Sequence, residues 1–204
     1  MRRIGSIFVL FFLFCIIVSC ASTGQNKQQD NNMENRAEIV NFYRQEVPSL
    51  RFIGKKYGPG DNFGAEWGNW HRNGWFGIIQ NQIEYSMDTI IDDGDAFIGL
   101  MRWKQGEPFQ YWIGVFMPVG TNVPEGFQYH DFDEGSWGVV WLYGNSGNVY
   151  GQHQRSTQKL LDEGFTIKND NYNATWYFER YVCPRFTTPD EKGNFILDMV
   201  HFIE

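Results

Sequence analysis

Residues Trp176-Tyr177-Phe178-Glu179-Arg180-Tyr181 decide how the rest of the chain is read. Four of the six are aromatic, the side chains that fit a half-buried pleated surface. As a strand the segment has period two. Tyr177, Glu179 and Tyr181 share one face, and Trp176, Phe178 and Arg180 share the other. A carboxylate between two tyrosines has two readings. On an exposed face, Glu179 is wet and pairs with a nearby Arg or Lys. At the floor of an aromatic cleft, it would attract a cation. Desolvation could also raise its pKa enough for general acid or base work. The strand alone leaves both open.

Working outward, breakers and apolar runs place the other elements. Ser49–Tyr57 is strand-like and stops at Gly58-Pro59-Gly60. Asp61 or Asn62 can then cap a helix on which Phe63, Trp67 and Trp70 recur at i, i+4, i+7, the spacing of a buried face. Ala96–Trp103 and Phe109–Met117 read as strands joined by Lys104-Gln105-Gly106-Glu107-Pro108. Phe127–Phe132 and Ser136–Tyr143 form a strand region interrupted near Gly135. Tyr150, His153, Thr157, Leu160 and Leu161 mark one face of a second helix, with Gly164 as its stop. Trp176–Val182 and Phe195–Ile203 are the last strands. The order is strand, helix, strand, strand, twice over, in halves 48–118 and 126–204. The expected fold is α+β: duplicated β-α-β-β units forming two antiparallel sheets with a central cleft. Identity between the halves is negligible, so the repeat rests on element order alone.

The chain has 204 residues, 42% of them hydrophobic, enough for a real core. Aromatics make up 18%: 18 Phe, 10 Tyr and 8 Trp. The net charge of −7 argues against a nucleic-acid partner, because neutralising phosphates needs clustered Lys and Arg. Arg2 and Arg3 precede an unbroken apolar run, Ile7–Val18, too short to span a bilayer but right for the h-region of a signal peptide. The run closes on Ile17-Val18-Ser19-Cys20, which resembles the lipobox of bacterial lipoproteins, with Ile17 and Val18 departing slightly from its commonest form. The expectation is a signal peptide over 1–19, a lipidated Cys20, and attachment to a membrane of the cell envelope, inner or outer. Cleavage before Cys20 would leave 15 Lys and Arg against 24 Asp and Glu, a charge of −9. Cys183 would then have no disulfide partner and reads as a packed thiol. Residues 21–36 read as a tether. Ala37–Gln45, with Ile39, Val40, Phe42 and Tyr43 apolar, reads as an amphipathic lead-in, so the domain proper is expected over 48–204.

The chain carries none of the common catalytic signatures. There is no Walker loop, G-x-G-x-x-G, H-E-x-x-H or G-x-S-x-G. His71, His130, His153 and His201 lack ligand spacing, and neither metal nor cofactor is expected. His130-Asp131-Phe132-Asp133-Glu134 reads as a solvated edge. Asp92-Asp93-Gly94-Asp95 reads as a solvated turn, since its spacing misses the calcium-loop pattern.

Four pieces then come in order: Tyr111-Trp112-Ile113-Gly114-Val115, Val123-Pro124-Glu125-Gly126-Phe127, Ser136-Trp137-Gly138-Val139-Val140-Trp141-Leu142-Tyr143-Gly144, and Phe178-Glu179-Arg180-Tyr181. Together they resemble the gyrase-inhibitor-like (GyrI-like) small-molecule-binding family, also seen as the effector domain of multidrug-sensing transcription activators. The resemblance covers about residues 48–204. It implies an aromatic cleft faced by the Glu of "F-E-x-Y", here Glu179, with Trp112, Trp141, Tyr143, Tyr177 and Tyr181 as candidate walls. It implies a small aromatic or lipophilic ligand, with or without a positive charge. It also implies an alternative, hydrolysis of strained or reactive molecules with Glu179 activating water. Unlike the transcription activators, this chain shows no helix-turn-helix segment upstream and carries a lipoprotein-like leader.

Overall fold

Eight strands and three helices make up the computed structural model, which describes residues 36–204. The strands are β1 (Glu38–Val47), β2 (Leu50–Tyr57), β3 (Phe97–Trp103), β4 (Gln110–Pro118), β5 (Gln128–Phe132), β6 (Gly135–Gly144), β7 (Thr175–Tyr181) and β8 (Phe195–Ile203). The helices are α1 (Phe63–Arg72), α2 (Trp75–Gln80) and α3 (His153–Asp162), with a 3₁₀ turn at Met87–Thr89. The leader, Cys20 and the tether lie outside the described residues. The Asn62 side chain caps α1 by accepting from the Ala65 N–H at 3.1 Å. The α2 helix and the 3₁₀ turn fall in a stretch, 72–95, for which the sequence reading proposed no element.

All eight strands join one antiparallel sheet in the order β1-β6-β8-β7-β3-β4-β2-β5. The two β-α-β-β units are present as β2-α1-β3-β4 and β6-α3-β7-β8. They are fused edge to edge, β7 against β3, into one continuous sheet where two sheets were expected. The two remaining strands are exchanged. β1 precedes the first unit but pairs with β6 of the second, and β5 precedes the second unit but pairs with β2 of the first. Residues 36–204 thus form one compact unit, and Ala37–Gln45 is no lead-in: from Glu38 on it lies in β1, an integral edge strand. A register shift between Ile39 and Asn41 pushes Val40 out of the ladder, where it is 44% exposed. That bulge breaks the period-two pattern by which a strand is recognised.

The two faces of the sheet are filled differently. On one face the sheet curls over itself. Phe132 on edge strand β5 stacks on Phe202 of β8, with centroids 4.8 Å apart, and His130 stacks on Trp176. Inside the curl, Phe52, Phe116, Trp137 and Phe178 pack into the aromatic core, edge to face except for the tilted Phe116–Trp137 pair. The other face carries the helices. Phe76 of α2 lies flat on Phe97, and Leu160 of α3 sits over Gly138. His130–Glu134 does lie at a solvated edge, on β5 and just beyond it, where exposed Asp131 forms a two-pronged pair with Arg51. Asp92–Asp95 is a turn, but Asp93 in it is half-buried and pairs with Arg185, so that residue is a structural tie.

Candidate ligand-binding site

The seam between the units, β3 against β7, sets Gly99 directly opposite Glu179. A Cβ on residue 99 would lie 2.4 Å from the Tyr111 hydroxyl and 3.5 Å from Glu179 Oε2, so only glycine leaves room for both groups. Above them lies α1. Phe63 stacks on Tyr111 at 4.5 Å, and the Trp67 indole N–H donates to Tyr111 Oη at 2.9 Å. Trp67 also meets Tyr181 edge-on, and the Tyr181 hydroxyl donates to Glu179 Oε2 at 2.6 Å.

These side chains bound a cavity of about 680 Å³ lined by Phe63, Gly64, Trp67, His71, Phe97, Tyr111, Tyr150, Glu179, Tyr181, Cys183, Phe186 and Thr187. Its volume falls in the range of small-molecule sites. Glu179 is its one carboxylate and is only 8% exposed. Burial pushes the Glu179 carboxyl above its ordinary range, and the Tyr181 hydrogen bond pulls weakly the other way. Burial, followed by the proximity of Glu179, raises the Tyr111 and Tyr181 phenols in turn. The cavity is thus an aromatic box with one buried carboxylate at its floor, where a cation would find both a counter-charge and ring faces. Among the described residues, no group of three metal-ligating side chains converges.

The structure sorts the sequence-derived site residues by sheet face. Glu179 and Tyr181 line the cavity. Tyr177 shares their face but lies further along the strand, its ring between those of His153 and His201. Trp112 points to the opposite face, edge-on to Phe52. Trp141 is on that face too, beneath the Arg185 guanidinium. Tyr143 projects outward and binds Asp190 and Asn194. None of these last three is a cavity wall, because each stands on the far side of the pleat or beyond the seam. Cys183, expected to be packed, is exposed at the rim. The walls that sequence reasoning missed are chiefly Tyr111, Tyr150, Phe97, His71 and Phe186. A signal for two others was present: Phe63 and Trp67 belong to the apolar stripe assigned to α1, but only the fold shows that this part of the stripe roofs a cavity.

No family model matches the chain, and no curated protein sequence does. Solved structures do resemble it. One is SAV2435 bound to tetraphenylphosphonium, 14% identical, with TM-score 0.56 over 81% of this chain and 94% of that one. A second is the EcmrR C-terminal domain, 11% identical, with TM-score 0.53 over 80% and 97%. A third is a bacterial transcription regulation protein from Staphylococcus aureus MU50, 14% identical, with TM-score 0.52 over 80% and 98%. At such identities the likeness is one of fold: α+β, with an open antiparallel sheet and few helices, as in GyrI-like effector-binding domains.

Proposed function

We propose that this chain is a small-molecule-binding protein of the bacterial cell envelope. It would hold an aromatic or lipophilic, cationic molecule over Glu179, tethered to a membrane through a lipid on Cys20. The observation that carries the binding reading is the single buried carboxylate at the floor of an aromatic cavity of about 680 Å³. Tetraphenylphosphonium on SAV2435 supports it by showing that this fold can hold a lipophilic cation. The leader and lipobox support the envelope placement. Trp67 on the wall makes binding visible. Titrating residues 36–204 with tetraphenylphosphonium should quench or shift tryptophan fluorescence, and Glu179→Gln should weaken binding at least tenfold, about 1.4 kcal/mol. Equal affinity in the variant refutes the site. For the anchor, metabolic labelling with an acyl-chain probe should mark the full chain and leave Cys20→Ser unmarked.

A second reading, hydrolysis with Glu179 activating water, gains from the Tyr111 hydroxyl near that carboxylate, a phenol whose O–H could serve a developing oxyanion while the Tyr181 O–H is given to Glu179. Turnover of an ester or cyclopropane probe that disappears in Glu179→Ala would favour it.

A further inference from the structure

Beyond Glu179, the same face of the sheet carries a second group of polar rings. His153, the first residue of α3, stacks on Tyr177 with centroids 4.9 Å apart and planes 16° off parallel. Tyr177 in turn stacks on His201 at 5.8 Å and 22°. The column begins two residues along β7 from Glu179, about 7 Å at strand rise, and three residues after the cavity wall Tyr150. At its buried end, hydrogen-bonding capacity is unspent among the described residues. His201 is 1% exposed, and neither ring nitrogen meets a partner among the described residues. Buried polar atoms are nearly always bonded, and a neutral imidazole brings one donor and one acceptor.

We propose that His153, Tyr177 and His201 form a polar arm of the ligand site, receiving a neutral hydroxyl or carbonyl group carried by the molecule whose aromatic body lies over Glu179. The proposal rests on the binding reading above and narrows its ligand class to aromatic amphiphiles with one neutral hydrogen-bonding substituent. The group is neutral because the rings are. Burial, with His153 adding to it, pulls His201 down to about 3, and burial lowers His153 as well, so neither offers a cation to a carboxylate.

The test compares two probes that differ by one hydroxyl, propyltriphenylphosphonium and 3-hydroxypropyltriphenylphosphonium, on residues 36–204. The hydroxyl probe should bind at least threefold tighter. Tyr177→Phe, which removes only an oxygen, and His153→Leu should each bring the ratio towards one. Both should leave the propyl probe within twofold of its original affinity. Equal binding of the two probes to the parent protein, as when water alone serves these rings, overturns the polar arm and leaves the Glu179 site standing. A ratio that survives both substitutions overturns it equally. If neither phosphonium binds at all, the cation-site reading fails, and the polar arm fails with it.

Discussion

Glu179 and Arg180 are neighbours in the chain, both buried, and they face opposite sides of one sheet. Arg180 is fully answered. Its Nε and Nη2 donate to Asp198 at 3.0 and 2.8 Å, Nη1 to Gln45 at 2.9 Å, and Nη2 to the Tyr43 hydroxyl at 3.0 Å. Arg185 binds the same Asp198 and reaches Asp93, so two guanidiniums meet two carboxylates. Burial works to raise the Asp93 pKa, but the Arg185 and Arg180 charges outweigh it and hold that carboxyl low. Among the described residues Glu179 has one neutral hydrogen bond and no cation, and a cavity lies in front of it. A buried charge that is paired on all sides belongs to the fold, whereas one left uncompensated beside a cavity marks a place for something else.

The sharpest way to break this contrast is to remove each charge in turn. Arg180→Ala leaves the wholly buried Asp198 with Arg185 alone and empties the space the guanidinium filled, and should cost about 2–5 kcal/mol of stability in urea unfolding. A loss under about 1 kcal/mol would mean the network is ornamental. Gly99→Ala drives a methyl into Tyr111 Oη, and the resulting overpacking should cost about 1–3 kcal/mol and abolish tetraphenylphosphonium binding, read by calorimetry.

Glu179→Gln should behave oppositely to Arg180→Ala: binding falls while the melting temperature at pH 7 stays level or rises. The sign follows from the raised pKa. A carboxyl whose folded pKa lies above its unfolded value contributes most to stability below the unfolded pKa, and that contribution is lost as pH rises through the folded one. The gain from Glu179→Gln should therefore vanish on acidification. For the same reason the parent protein's affinity for tetraphenylphosphonium should fall as pH drops through the raised Glu179 pKa, while the affinity of Glu179→Gln stays flat.

Trp67→Phe loses the bond to Tyr111 but keeps an aromatic roof. It should weaken binding by about 0.5–1.5 kcal/mol and remove most of the fluorescence signal. Tyr143→Phe, at the exposed end of β6, should change neither stability by more than about 0.5 kcal/mol nor binding measurably. A binding defect there would restore Tyr143 to the site.

The sequence alone carried the element order, strands to within about a residue at most ends, and the α+β class, because apolar periodicity and glycine or proline breakers act locally. It also singled out Glu179, because a carboxylate flanked by tyrosines is anomalous on local grounds. It misjudged β1, where the Val40 bulge hides the alternation. It chose Trp112 over Tyr111 because period two says only that such neighbours face apart; which face meets a cavity depends on what packs there. The joining of β3 to β7, the exchange of β1 and β5 between units, and the seating of α1 over Gly99 are contacts between residues far apart in the chain. Pairing at that range is set by the packing of whole faces, so the side of the sheet on which Glu179 became a cavity floor and Arg180 a core strut was decided by the tertiary structure.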